Sequence, residues 1–187
     1  MLSDSTNRWP SSHVHARTLH GNGPVDGARL AKLLPETIAA FHLDLSGLTV
    51  LTEAASGAYV VTPIIAALAG ARRVIAVTGE SPYASTDEVI AQTREVASLF
   101  GVFSAVEIHT KRSTDLFAEA DIITNLGFLR PIDAEAVEAM KPMAVVPLMC
   151  EAWEFRPGDL DMTACRSPLR THRCGPFHFK GTRDVCN

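Results

Sequence analysis

Small residues between an apolar run and a helical stretch are the first feature of this sequence that could do chemistry. In residues 52–59, Ala54, Ser56 and Gly57 follow the apolar run and precede the helical stretch. Such a loop lets backbone N–H groups come close to an anion, and a helix N-terminus favours negative charge. We therefore expect Ala54, Ser56 and Gly57 to hold a phosphate or carboxylate.

Polar residues also follow two later apolar runs. Thr78 and Glu80 come after the second run, and Thr124 and Asn125 after the fourth. An acidic side chain after the second strand of a nucleotide-binding sheet holds ribose hydroxyls, although Glu80 equally suits a solvated loop. Thr124 and Asn125 would lie at the other end of the same ligand, or would form a polar turn before Pro131.

A charged and aromatic segment follows the fifth run. Glu151 and Glu154 are candidates for a general acid or base, and Arg156 could clamp a carboxylate through two hydrogen bonds. The alternative is an ordinary surface ion pair.

Histidines and cysteines at the two ends of the chain raise the question of a metal. The late ones match no paired CxxC zinc pattern, and the early ones suit a solvated segment. We therefore predict no metal site. The candidates considered are His13, His15 and His20, and then Cys165, His172, Cys174, His178 and Cys186.

Five short apolar runs alternate with helical stretches and would position these residues. This rhythm predicts an α/β fold, a doubly wound parallel sheet of about five strands with helices on both faces. Pro147 cannot donate to a strand ladder and favours an edge for the fifth strand, which suggests the order 3-2-1-4-5. The runs are residues 48–51, 74–77, 106–108, 122–124 and 144–149.

Helix signals lie between these runs. Residues 26–41 have helical spacing, but Pro35 interrupts them, so we expect two short helices there. Ser85 and Glu88 have the spacing of a capping box, and Asp133 is a good N-cap.

Composition and charge limit the class of protein. We divide the 187 residues into a flexible leader (1–25), one nucleotide-binding domain (26–165) and a tail expected to be disordered (166–187). The net charge of -4 argues against binding nucleic acid through a basic face. The sequence has neither an apolar run of membrane-spanning length nor the apolar core of a secretory signal, so we expect no membrane association and a cytoplasmic location.

Residues 45–149 resemble the nucleotide-binding domain of 2-hydroxyacid dehydrogenases and adenosylhomocysteinases. The resemblance rests on the spacing from Gly47 to Gly70-Ala71 and on three later segments. In the aligned glycine fingerprint, Ala54, Ser56 and Tyr59 stand where the family has glycine, and the fingerprint is therefore degenerate. The later segments are residues 120–125, 132–135 and 140–142.

The resemblance implies a Rossmann-like domain that binds NAD or NADP within an oxidoreductase-like protein. Thr78 takes the position of the ribose-binding acid, which leaves the choice between NAD and NADP open. No substrate domain fits within this length, so a separate domain or a homo-oligomer would complete an enzyme. Two alternatives remain: an S-adenosylmethionine-dependent methyltransferase-like domain, with Glu53 and Glu80 as its acids, and a non-catalytic Rossmann-like scaffold.

Overall fold

A computed structural model describes residues 18–19, 25–149, 156, 158–166 and 173–175 of the chain. Two short strands, β1 (Thr18–Leu19) and β2 (Val25–Asp26), form an antiparallel pair before the main sheet. The other residues of the predicted leader, and most of the predicted tail, lie outside the described residues. The proposed domain boundaries therefore stay predictions.

The main sheet has six strands in the order β5-β4-β3-β6-β7-β8, and all of its neighbouring strands are parallel. The predicted α/β class, with a doubly wound Rossmann-like sheet, is confirmed, and the first five strands have the predicted order. The strands are β3 (Thr49–Glu53), β4 (Arg73–Val77), β5 (Val106–His109), β6 (Ile122–Ile123), β7 (Val145–Pro147) and β8 (Arg173–Gly175).

The placement of Pro147 on an edge strand was wrong. β8 pairs in parallel with β7, and Pro147 is in register with Gly175. A proline lacks only the N–H group, so the carbonyl groups of β7 can still accept hydrogen bonds from a neighbouring strand. Residues 173–175 form this strand, although the sequence after Cys165 has no apolar run long enough to predict one.

The prediction of two short helices around Pro35 was also wrong, because α1 runs without interruption over Gly27–Ala40. Asp26 accepts hydrogen bonds from the N–H groups of Ala28 and Arg29 at its start. Leu34 is buried against the second helix, and this packing offsets the single intrahelical hydrogen bond that a proline removes.

Two later helices begin at the predicted capping residues. Ser85 and Glu88 form the expected capping box, and Asp133 caps its helix by accepting the N–H of Ala136 at 2.9 Å. The segment predicted as one helix from Gly57 begins instead as a 3-10 turn (Gly57–Val61). The helices are α2 (Thr62–Leu68), α3 (Thr86–Leu99), α4 (Thr114–Glu119), α5 (Ala134–Ala139) and α6 (Met162–Cys165).

Apolar clusters cover both faces of the sheet. On one face α1, α2 and α3 pack together, with Val60, Ile64 and Val96 fully buried. On the other face α4, α5 and α6 contribute to a cluster with Leu51 and Ile75. This two-sided burial explains why the strands lack strict polar–apolar alternation. None of the described helices has the length and apolar character needed to cross a bilayer.

Candidate functional site

A crevice opens beside β3, the strand on either side of which the chain adds its later strands. β4 and β5 lie on one side of β3, and β6 and β7 lie on the other, so the connections after β3 and β6 diverge. Ligands of open α/β sheets bind at this point, outside the carboxyl ends of the strands. The crevice here has a volume of about 660 Å3, within the usual range of ligand pockets. We call it the cleft.

Two of the three small residues expected to bind an anion line the cleft. Ser56 and Gly57 are part of its wall, and Gly57 has a φ of 66°, a left-handed conformation that favours glycine. Ala54 does not line the cleft: its N–H donates to the carbonyl of Val77 at 2.9 Å, and its side chain is buried against α3. The ladder between β3 and β4 thus continues one residue past β3 and occupies the Ala54 amide.

The backbone amides just after Ala54 lack partners within the part of the chain that the structure describes. Among the described residues, Ala55, Ser56 and Gly57 donate no backbone hydrogen bond. All three residues line the cleft. Consecutive N–H groups without internal partners form a concave site that favours an anion. Tyr59, which replaces the third fingerprint glycine, is exposed at the rim of the same cleft.

Glu53, which the sequence offered only as an acid of the methyltransferase-like alternative, lines the cleft. It ends β3, is only 6% exposed, and accepts a hydrogen bond from the N–H of Phe128 at 3.2 Å. Burial raises the pKa of the Glu53 carboxyl above its ordinary value, although the N–H groups of Phe128 and Gly127 and the charge of Arg130 act the other way. A buried acid of this kind inside a cleft is typical of functional sites.

The loop after β6 comes close to this carboxylate because Gly127 has no side chain. A Cβ at Gly127 would lie 3.3 Å from Oε2 of Glu53. Arg130, from the same loop, lines the cleft and forms an ion pair with Asp159 at 2.9 Å. Arg112 fixes the loop from outside, since its guanidinium donates to the carbonyls of Leu129 and Pro131.

Thr78 and Glu80, the candidates for ribose binding, do not line the cleft. The N–H of Thr78 donates to the carbonyl of His109 at 2.8 Å, and its buried hydroxyl has no partner among the described residues. Glu80 is exposed and accepts the N–H of Thr86 at 3.0 Å, at the start of α3. The hydrogen bonds from the backbone and side chain of Thr86 lower the pKa of Glu80.

Thr124 and Asn125 are buried beneath the cleft rather than at its surface. The hydroxyl of Thr124 donates to that of Thr52 at 3.0 Å, and the Asn125 side-chain oxygen accepts the N–H of Met149 at 2.6 Å. These hydrogen bonds join the ends of β6, β3 and β7. The next three residues, 126–128, line the cleft instead.

Of the three catalytic candidates, Arg156 lines the cleft and is exposed there. Its N–H lies 3.4 Å from Oδ2 of Asp159, the oxygen that also accepts from Arg130. Glu151 and Glu154 lie outside the described residues. Within the part of the chain that the structure describes, no three histidine, cysteine, aspartate or glutamate side chains group as metal ligands. The histidine candidates for zinc lie outside that part, and Cys165 is buried.

Comparisons with known proteins support the fold. No protein-family model matches the sequence, and no curated protein matches it. A solved structure of shikimate 5-dehydrogenase from Listeria monocytogenes, in complex with shikimate and NAD, is similar with a TM-score of 0.51 at 11% identity, covering 76% of this chain and 50% of that one. A putative aspartate carbamoyltransferase from Leishmania major Friedlin matches with a TM-score of 0.42 at 15% identity, covering 74% of this chain and 49% of that one.

The chain thus spans about half the length of these two proteins. Neither is a 2-hydroxyacid dehydrogenase or an adenosylhomocysteinase, and that narrower resemblance stays a prediction. The likeness to the first structure, together with the parallel sheet and its strand order, shows a Rossmann-type α/β domain.

Proposed function

We propose that this chain is a nucleotide-binding domain of an oxidoreductase-like protein and that it binds NAD or NADP in the cleft. One observation carries the proposal: Ala55, Ser56 and Gly57 line a cleft at the switch point of the sheet and donate no backbone hydrogen bond within the described residues. Three such amides suit the pyrophosphate group of a dinucleotide.

The rest of the cleft fits the remainder of such a ligand. Tyr83 follows β4, lines the cleft and is 74% exposed, and we propose that its ring stacks on the base. Arg130 and Arg156 line the cleft with positive charge, which favours an anionic ligand. The volume of about 660 Å3 is that of a site for a ligand of this size.

The bound cofactor would supply hydride transfer, and the residues of this chain would bind and orient it. The amides of residues 55–57 would hold its phosphates, and the loop of residues 126–130 would cover the adjacent portion. Groups that bind the second substrate would come from a separate substrate domain or from another copy of the chain. The dehydrogenase solved with shikimate and NAD is covered over 50% of its length, which is consistent with a further domain.

Calorimetric titration with NAD, NADP and S-adenosylmethionine tests the proposal. We expect saturable binding of NAD or NADP, and a higher melting temperature in its presence. Replacement of Tyr83 by alanine should weaken binding about tenfold, because stacking on a base contributes roughly 1–3 kcal/mol. Phe103 is 53% exposed near the opposite end of the sheet, and Phe103→Ala is the matched control, with unchanged affinity.

The same titrations separate the alternatives. Binding of S-adenosylmethionine without NAD or NADP would favour the methyltransferase-like domain. No binding of any of the three ligands would overturn the proposal and favour a non-catalytic scaffold. Equal affinities of the wild type and Tyr83→Ala would leave nucleotide binding intact but move the base away from Tyr83.

A further inference from the structure

The carboxylate of Glu53 lines the same cleft as the amides that we propose hold an anion. It is in the cleft wall at the end of β3, directly before the segment that contains the three partnerless amides. Its Oε2 accepts the N–H of Phe128, and a Cβ at Gly127 would lie 3.3 Å from the same oxygen. A carboxylate so enclosed cannot move aside without giving up this hydrogen bond.

The positive charges of the cleft are not paired with Glu53. No lysine, arginine or histidine among the described residues is within ion-pair distance of its carboxylate. Arg130 is paired with Asp159 at 2.9 Å, although its charge still lowers the pKa of Glu53, and Arg156 is exposed to water, which screens its charge. The other titratable side chains that line the cleft are Tyr59 and Tyr83.

A pyrophosphate on the amides of residues 55–57 would therefore bring negative charge close to a buried, negatively charged carboxylate. Two like charges in a poorly solvated site raise the pKa of the weaker acid until it binds a proton. A protonated carboxyl keeps one oxygen as acceptor for the Phe128 N–H and gains an O–H that can donate to a phosphate oxygen. The proton comes from solvent, and no other bond is made or broken.

We propose that Glu53 is a specificity-determining residue of the cleft, because it couples the binding of a dinucleotide to the uptake of one proton. This inference rests on the proposed function. It adds that the protein takes up one proton when the cleft binds the dinucleotide. The affinity for the dinucleotide therefore falls as the pH rises.

The sign of the linkage follows from which protonation state binds. The neutral carboxyl binds the ligand, so affinity is highest below the pKa of Glu53 in the free protein. Above that pKa the dissociation constant rises up to tenfold per pH unit, until the pKa of the complex is reached. Burial already raises the pKa of the free carboxyl, which lowers the free energy needed to protonate it on binding.

Calorimetry with NAD in buffers of different ionisation enthalpy measures the proton directly. The pyrophosphate diester of NAD does not titrate between pH 5 and 8, so uptake reports on the protein. We expect the wild type to take up between a tenth of a proton and one proton per NAD in part of this range. Glu53→Gln should take up none and should bind NAD at least tenfold more tightly than the wild type at pH 8, because the amide removes the charge but keeps an acceptor.

Glu135 is exposed on α5, and Glu135→Gln is the matched control that should behave as the wild type. Binding of NAD by the wild type without proton uptake from pH 5 to 8 would overturn the coupling and leave the proposed function intact. Equal proton uptake by the wild type and Glu53→Gln would assign the proton to another group and would also overturn the coupling through Glu53. If neither the wild type nor Glu135→Gln binds NAD, the proposed function fails and the coupling fails with it.

Discussion

Polar groups at the two ends of the parallel sheet differ in whether they have hydrogen-bond and ion-pair partners. At the amino end, Asp121 accepts the N–H of Thr49 at 2.8 Å and pairs with Lys141 at 2.7 Å. Arg73 forms a two-pronged pair with Glu107 and also contacts Glu119. These side chains join the starts of β3, β4, β5 and β6 to their neighbours, and each charge has a partner within the chain.

At the carboxyl end Arg130 is paired with Asp159, but other polar groups lack such partners among the described residues. Glu53 is buried without a cation at ion-pair distance among the described residues, and residues 55–57 line the cleft without donating backbone hydrogen bonds. Both ends carry cavities of several hundred Å3, so cavity size does not distinguish them. The partners at the amino end indicate a role in stabilising the fold, whereas the groups at the carboxyl end are those that we propose bind a ligand.

The same substitution at the two ends should give the largest contrast. Ser56→Glu places a negative charge beside the amides proposed to hold phosphate, and we expect at least a hundredfold loss of NAD or NADP affinity, about 3 kcal/mol. Ser104→Glu adds the same charge in the amino-end cavity and should leave affinity unchanged. Titration of both variants measures the contrast. Equal affinities would place the nucleotide outside the 55–57 loop.

Asp121→Ala should lower the free energy of unfolding by about 2 kcal/mol, because it leaves the Thr49 N–H and the Lys141 ammonium without their acceptor. Although burial opposes ionisation, the hydrogen bonds from Lys141 and Thr49 lower the pKa of Asp121 below its ordinary value. Its contribution is therefore complete above this value and is lost as the pH falls through the lowered pKa.

Urea unfolding of the wild type and Asp121→Ala at pH 7 and in acid checks both parts of this prediction. The difference between the two proteins should shrink as the pH falls. A difference independent of pH would mean that Asp121 acts through packing rather than through its charge. NAD affinity should stay unchanged, since Asp121 lies at the end of the sheet opposite the cleft.

Glu53→Gln should raise the free energy of unfolding at pH 7, by about 1 kcal/mol. Burial raises the pKa of this carboxyl in the folded chain, so the folded state disfavours its charge. Stability from this group is present below the pKa of the unfolded chain and is lost as the pH rises toward the folded pKa. The advantage of the variant should therefore vanish near pH 4. Thermal unfolding across this range measures it, and a destabilised variant at pH 7 would contradict the assignment.

Glu119→Gln should change stability least, by no more than about 0.5 kcal/mol, because exposed ion pairs contribute little. Glu119 and Arg73 are both partly exposed, and Glu107 still binds Arg73 after the substitution. Urea unfolding at low and high salt provides the measurement. A loss above 1 kcal/mol would show that the three residues act as one network.

The sequence predicted the elements better than the site. Short apolar runs and capping residues such as Ser85 and Asp133 depend on near neighbours, so the strands and helices were located from local pattern. The role of Glu53 depends on Phe128, which is 75 residues away in the chain. A carboxylate after a strand is usually solvated, and only the approach of this second loop buries it.

The wrong predictions at the site also arose because they depend on contacts between residues far apart in the chain. Ala54 was expected to contact a ligand because it is small, but the sheet extends past the predicted strand end and uses its amide. Thr124 and Asn125 were interpreted as surface polar groups, whereas they form hydrogen bonds beneath the cleft. Their burial could not be predicted without knowing which strand ends become neighbours.

The central position of β3 has a consequence for how the chain is made. β3 is the first strand of the main sheet in chain order and lies in its middle, and its second neighbour, β6, joins it near Asp121, 72 residues after Thr49. At a synthesis rate of about 5–20 residues per second, β6 follows β3 out of the ribosome roughly 4–14 s later. For that time one edge of the central strand has no neighbour in the nascent chain. An open edge on a strand destined for full burial is a template for pairing with other chains, so the nascent chain is exposed to aggregation during this interval.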